Sequence, residues 1–136
     1  ANGTLIYADF DKFKLLNDTL GHHAGDAALV HFSRLVHDLI RGGDTASRIG
    51  GEEFVVWLPG ASLVYGAKVA DRIRIKLGTT AWDWQGRSWP LSASFGVAAH
   101  PDTTRSPDNL PAQADAALME AKRSGRNRVE TARPLS

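Results

Sequence analysis

Thr45-Ala46-Ser47-Arg48-Ile49-Gly50-Gly51-Glu52-Glu53-Phe54-Val55-Val56-Trp57-Leu58 is the stretch from which the fold can be read. Runs rich in strand formers lie on either side of Gly50-Gly51, a dipeptide that accepts the positive φ values of a tight turn. The spacing predicts an antiparallel hairpin of Thr45–Ile49 with Phe54–Leu58, carrying Glu52 and Glu53 at its tip. Toward the N-terminus, Thr4–Phe10 is a short, largely apolar run of β-formers and reads as a buried strand. Asp11–Leu20 can form a short helix ended by Gly21, and Ala28, Leu29, Phe32, Leu35, Val36, Leu39 and Ile40 recur at the spacing of a longer amphipathic helix that stops near Gly42-Gly43. Toward the C-terminus, Ser62 caps a helix whose apolar face is Leu63, Gly66, Ala70, Ile73 and Leu77, with Gly78 as its stop. Ala81–Trp89 reads as a small hairpin with aromatic cross-strand packing, and Leu91–Ala99 as a further strand. A last helix, Leu110–Ser124, takes Pro111 in its first turn and ends at Gly125; Asn127–Glu130 is a final edge strand. This order predicts an α+β fold, a mostly antiparallel sheet with helices packed on it, with a ferredoxin-like βαββαβ core of the polymerase-palm kind as the best fit.

The chain of 136 residues is long enough for one domain with a real core. Its 16 basic and 15 acidic side chains leave a net charge of +1, so it offers no polyelectrolyte surface for nucleic acid or an anionic membrane, and an anionic ligand must be met by a local cluster. There is no cysteine, which removes disulfides and thiolate chemistry, and no apolar run of membrane-spanning length. A chain that opens on Ala1 and enters a strand pattern almost at once is expected to be a piece of a longer protein.

Carboxylates are concentrated in two places, Asp9 with Asp11 at the end of the first strand and Glu52 with Glu53 at the hairpin tip. If those strands are neighbours, the four converge. Carboxylates held together repel one another unless a cation neutralises them, and hard oxygen ligands suit Mg²⁺ or Mn²⁺. The plainer reading is a set of solvated turn acids.

Four blocks in order resemble the GGDEF family of diguanylate cyclases: Asp9–His22 with Gly25-Asp26, Gly50–Phe54 in the GGEEF form, Ser94-Phe95-Gly96, and Ala114–Leu118 with Ala121-Lys122 and Gly125-Arg126-Asn127. The resemblance implies an enzyme that joins two GTP molecules into cyclic di-GMP. In that reaction the 3′-hydroxyl of one GTP attacks the α-phosphate of another, with two divalent ions on each triphosphate and a homodimer bringing two half-sites together. It implies that Asp9, the Phe10 carbonyl and Glu52 are metal ligands. Glu52 is also the proton acceptor, Glu53 a further catalytic acid, and Lys14 a cation for the transferring phosphate.

The same resemblance makes Asn17 and Asp26 the guanine-reading pair; a carboxylate can accept from both N1–H and the N2 amino group, a pattern adenine lacks. His22, Lys122 and Arg126 then contact substrate, the last two on the triphosphate, where four-residue spacing would aim both at one anion. Plainer roles exist for each: a helix lysine for Lys14, a helix cap for Asp26, a turn residue for His22, and interaction with the helix dipole for Lys122 and Arg126. Arg41-Gly42-Gly43-Asp44, in register ahead of Gly50, matches the RxxD pattern that binds cyclic di-GMP as a feedback inhibitor, with Arg72 as a supporting contact.

Two departures stand out. Met119 replaces a usual tyrosine, read as a packing change, and the helix that normally precedes the first strand is not in the sequence. A sensory or dimerising domain is expected elsewhere in the parent chain, which can be membrane-anchored with this domain in the cytoplasm. The competing functions are a non-catalytic receptor for cyclic di-GMP or GTP, and a cyclase making another product. Retention of Asp9, Glu52 and Glu53 favours catalysis.

Overall fold

The computed structural model describes residues 2–136. The first strand, β1 (Gly3–Phe10), lies at the centre of the sheet with buried side chains on both faces. It leads through Lys12, which adopts a left-handed conformation at φ 54°, into α1 (Phe13–Leu20). The first helix therefore begins after Asp11 and leaves that carboxylate free to point elsewhere. Gly21, at φ 97°, separates α1 from α2 (His22–Leu39). Then come β2 (Thr45–Gly50), β3 (Glu53–Pro59) and α3 (Leu63–Thr79), the last capped as expected by the Ser62 hydroxyl, which accepts from the Tyr65 N–H at 3.1 Å. Helix α3 runs through Gly78 instead of stopping at it.

The small hairpin β4 (Asp83–Trp84) and β5 (Arg87–Ser88) stands apart from the main sheet, and Trp82, Trp84 and Trp89 pack on the core. The chain ends with β6 (Ala93–His100), α4 (Leu110–Arg123) and β7 (Val129–Thr131). The sheet order is β2-β3-β1-β6-β7, antiparallel throughout except for the β6–β7 pair. Taking β1, α2, β2, β3, α3 and β6 together gives the ferredoxin-like βαββαβ arrangement, to which α4 and the parallel edge strand β7 are added. Among the described residues no helix is long and apolar enough to cross a membrane.

Strand alternation divides the buried side chains between the two faces. Ile6, Ala8 and Phe10 join Phe54, Val56 and Leu58 under α2 and α3, whereas Leu5 and Tyr7 join Val55, Trp57 and Ala98 under α4. All five phenylalanines of the chain belong to one cluster on the first face. Phe32 of α2 lies 4.7 Å from Phe54, 5.9 Å from Phe10 and 6.4 Å from Phe95 between ring centroids, and Phe13 of α1 meets Phe10 at 5.8 Å, all edge to face. This cluster fixes α1 and α2 to the end of the sheet at which the acids emerge.

Candidate active site

Strands β1 and β3 are neighbours, and their register sets Asp9 opposite Glu53. Asp9 follows the parity of Leu5 and Tyr7, so it faces α4. The Phe10 N–H donates to the Glu52 carbonyl at 3.2 Å, tying the hairpin turn to the end of β1. Lys122 of α4 reaches across to pair with Asp9 Oδ2, while Asp9 Oδ1 is buried without a hydrogen-bond partner among the described residues. Burial, and next the charge of Asp9, push the Glu52 carboxyl above its ordinary value; Lys122 pulls the other way. Glu53 is exposed at the start of β3. Burial raises the Tyr7 hydroxyl, and the charges of Asp115 and then Glu53 add to the rise.

Two of the four converging carboxylates thus form a close pair, and the expectation for Asp11 is corrected. Asp11 turns inward and accepts from Ser92 and Ser94 hydroxyls at 2.7 Å each. Among the described residues no three His, Cys, Asp or Glu side chains are grouped closely enough to cage a metal. Two carboxylates and a main-chain carbonyl still suit Mg²⁺, which keeps its waters and takes substrate phosphates as ligands instead of using an all-protein cage. The orphaned Asp9 Oδ1 is the observation that fits a cation there.

The turn glycines correct another expectation. Neither Gly50 nor Gly51 has a left-handed φ. A Cβ on Gly51 would meet nothing within 4 Å, and one on Gly50 would only touch a Glu53 carboxylate oxygen at 4.0 Å. Their shortness leaves open space over the turn, and Arg48 ties the turn down by donating to the Gly51 carbonyl at 3.3 Å.

On the other face, Asp26 lies inside α2, which begins at His22, so it does not cap that helix. It is exposed and lines a groove of about 440 Å³ with Leu29, Val30, Ser33, Arg48 and Phe54. Asn17 of α1 packs on Gly25, where a Cβ would come within 1.8 Å of Asn17 Oδ1, so glycine is required for the approach of the two helices. That Oδ1 is also buried and unpartnered among the described residues.

Lys14, His22 and Arg126 are exposed. Lys14 pairs with Asp18 one turn along α1 at 2.9 Å, which raises its pKa; it makes no contact with the acids. Arg126 lies beyond the end of α4 at φ 62°, so the idea that Lys122 and Arg126 share a helix face is corrected: a Schellman closure, Arg126 N–H to Ala121 carbonyl at 2.9 Å across Gly125, breaks the helical spacing. Met119, where a tyrosine is usual, is half exposed on α4.

Arg41 and Asp44 form a closed turn. The Arg41 N–H donates to Asp44 Oδ2 at 2.9 Å, the Asp44 N–H to the Arg41 carbonyl at 3.1 Å, and the Arg41 guanidinium lies 4.7 Å from the centroid of the Tyr65 ring. Arg72 is exposed two turns further along α3 on the same side as Tyr65, about 10 Å away by helical rise, and lines a groove of about 830 Å³ with Leu39, Val64 and Ile75.

A palm-like α+β domain with a carboxylate pair at the sheet end and a guanidinium-bearing turn at the far end of β2 is the class that this fold and site define. The sequence matches the family described as "Diguanylate cyclase, GGDEF domain" over residues 1–128, and the chain belongs to that family. It is 44% identical over 126 residues to the uncharacterized protein YhcK of Bacillus subtilis, covering 92% of this chain and 35% of that protein. It is 37% identical over 126 residues to diguanylate cyclase A of Treponema denticola, covering 93% and 34%. The chain therefore spans about a third of the length of these curated relatives. Among solved structures, the active GGEEF domain of a diguanylate cyclase from Vibrio cholerae superposes with a TM-score of 0.89 at 30% identity, covering 97% of this chain and 83% of that one. The GGDEF domain of DgcB from Caulobacter crescentus, in complex with c-di-GMP, gives 0.89 at 29%, covering 96% and 76%.

Sequence reasoning missed the Asp9–Lys122 pair and the inward hydrogen bonding of Asp11. Lys122 and Asp9 are 113 positions apart, and nothing local in the sequence marks their contact.

Proposed function

We propose that this chain is the catalytic domain of a diguanylate cyclase that condenses two GTP into cyclic di-GMP with release of two pyrophosphates. The observation that carries the reading is Asp9, buried beside the Glu52 turn with one carboxylate oxygen held by Lys122 and the other unpartnered among the described residues. Asp9, the Phe10 carbonyl and Glu52 would hold Mg²⁺ or Mn²⁺, two ions per half-site. Such ions, when bound, lower the pKa of the attacking hydroxyl and neutralise charge on the attacked phosphate.

The chain's own groups do the rest. Glu52, with its raised carboxyl pKa, is suited to take the proton of the 3′-hydroxyl, with Glu53 as a second acid beside it. Lys122 and Arg126 neutralise the triphosphate, with Lys14 as a further cation once it leaves Asp18. Asp26 and Asn17 accept from the guanine edge, and the exposure of Asp26 in the groove between α2 and β3 supports that role. His22, at the first turn of α2, completes the substrate contacts. One GTP occupies one domain, so the reaction needs a homodimer. The parent chain supplies the sensory or dimerising domain, and the reaction belongs in the cytoplasm. Cyclic di-GMP, the product, binds at Arg41, Asp44 and Arg72 and inhibits by holding two domains where their GTP sites cannot meet.

Incubation with GTP and Mg²⁺ across a dilution series, followed by mass analysis, tests this. The expected product is cyclic di-GMP, with specific activity that rises with protein concentration. Unreacted GTP at every concentration, alongside tight binding of cyclic di-GMP, would replace the enzyme with a receptor.

A further inference from the structure

Asp11 has no part in the catalytic reading, yet it is buried, with 9% of its surface exposed, and makes no ion pair among the described residues. A buried carboxylate without a cation is costly unless donors surround it. Here Oδ1 accepts from the Ser94 hydroxyl at 2.7 Å, and Oδ2 from the Ser92 hydroxyl at 2.7 Å and the Asn127 N–H at 3.0 Å. Its own N–H donates to the Ser92 carbonyl at 2.9 Å. One side chain at the end of β1 thus ties together the entry to β6 and the turn that follows α4.

That turn needs an anchor. Arg126 and Asn127 both sit in the left-handed region, at φ 62° and 46°, which asparagine tolerates and which is uncommon for arginine unless its surroundings hold it there. The geometry points to Asp11 as the positioning residue of the triphosphate limb: by gripping the Asn127 N–H it holds the Gly125–Asn127 turn against the end of β1, and so fixes where the chain carries Arg126 after the helix of Lys122. This rests on the functional reading above and deepens it. Asp9 and Asp11 flank Phe10; one turns outward to the ligand and the other inward to set the cations that meet it. Asn17 and Asp26, carried by α1 and α2, do not depend on this anchor.

The test uses the 136-residue chain in Mg²⁺, with GTP, inorganic triphosphate and guanosine as separate probes in NMR titrations, and amide exchange at Asn127. In Asp11→Ala the Asn127 N–H and the Ser92 and Ser94 hydroxyls all lose their acceptor. The expected result is about tenfold weaker binding of GTP and inorganic triphosphate, unchanged binding of guanosine, and faster exchange of the Asn127 amide. Equal triphosphate affinity in the two chains, or an equal loss for guanosine and triphosphate, overturns the inference. Should Asp11→Ala fail to fold, Ser92→Ala and Ser94→Ala each remove one donor to the same carboxylate and should cost about threefold on triphosphate alone; no selective loss in either overturns it. A wild-type chain that binds neither GTP nor triphosphate overturns the functional reading, and the inference with it. A wild-type chain that binds, beside an Asp11→Ala chain that binds equally well, overturns the inference alone.

Discussion

The two ends of β2 both carry charged turns, and they are finished in opposite ways. At the start, Arg41 and Asp44 satisfy each other through two hydrogen bonds involving the backbone, and the guanidinium rests on Tyr65, so only 4% of the Asp44 side chain is exposed. At the other end, the Gly51–Glu53 turn meets Asp9 with one buried carboxylate oxygen unpartnered and Glu52 short of compensating charge. A polar turn that closes on itself is stable without a ligand. One that leaves acceptors buried and carboxylates adjacent keeps an electrostatic cost in the free protein that a cation can relieve. Ligand binding should therefore compete with existing contacts at the Arg41 turn and should relieve repulsion at the Glu52 turn.

The largest expected effect breaks the comparison at the acid end. Asp9→Ala or Glu52→Ala should lower cyclic di-GMP formation by about a thousandfold or more while the circular dichroism stays native, because each removes a hard ligand from the surface of the sheet. Ordinary turnover in either variant, at matched Mg²⁺, would reduce the pair to turn acids. Next in size, Asp26→Ala should raise the KM for GTP by about ten- to a hundredfold, since the guanine N–H donors lose their acceptor. Steady-state kinetics with GTP and ATP side by side check this, and equal use of both nucleotides by the wild-type chain would remove the guanine-reading role.

At the closed end, the combined change of Arg41→Ala and Asp44→Ala should abolish inhibition by cyclic di-GMP and leave catalysis standing. The lost turn contacts should cost about 1 kcal/mol in urea denaturation. Inhibition that survives the double change would leave this turn with a purely structural role. The smallest effect is a pH dependence at the acid end. The Glu52 carboxyl holds its proton more tightly in the fold than in the unfolded chain. The stability it contributes is therefore fully present below the ordinary carboxylate pKa and is lost as pH rises through the raised value. Thermal melts without divalent ions should show stability falling across that window more steeply for the wild type than for Glu52→Gln. Coincident pH profiles for the two chains would show that the carboxyl pair is not strained.

Much of the fold was legible because its signals are local. Short runs of strand formers marked β1, β3 and β6, the 3.6-residue apolar period marked α2 and α3, and Ser62, Gly21 and Gly125 marked helix ends. The failures were also local. Gly78 continues a helix because the turn remains packed through Leu77. Gly50-Gly51 turns without positive φ because a β-bulge shifts the register between Arg48 and Gly50 and absorbs the reversal. Asp26 reads as a cap until Gly21 is seen to start the helix four residues before Gly25.

For the site, sequence alone determined which residue types were present and, through four ordered blocks, which family they belong to. A carboxylate's neighbours are another matter, since burial and charge depend on residues far apart in the chain. Asp9 and Asp11 are two positions apart and chemically identical, yet one meets Glu52 and Lys122 and the other two serines and the Asn127 N–H. Nothing in the local sequence distinguishes them. Only the tertiary structure decided that Asp9 faces the open end of the sheet under α4 while Asp11, past the end of β1, turns into the seam between β6 and the turn after α4, because strand pairing and helix packing bring those distant donors together.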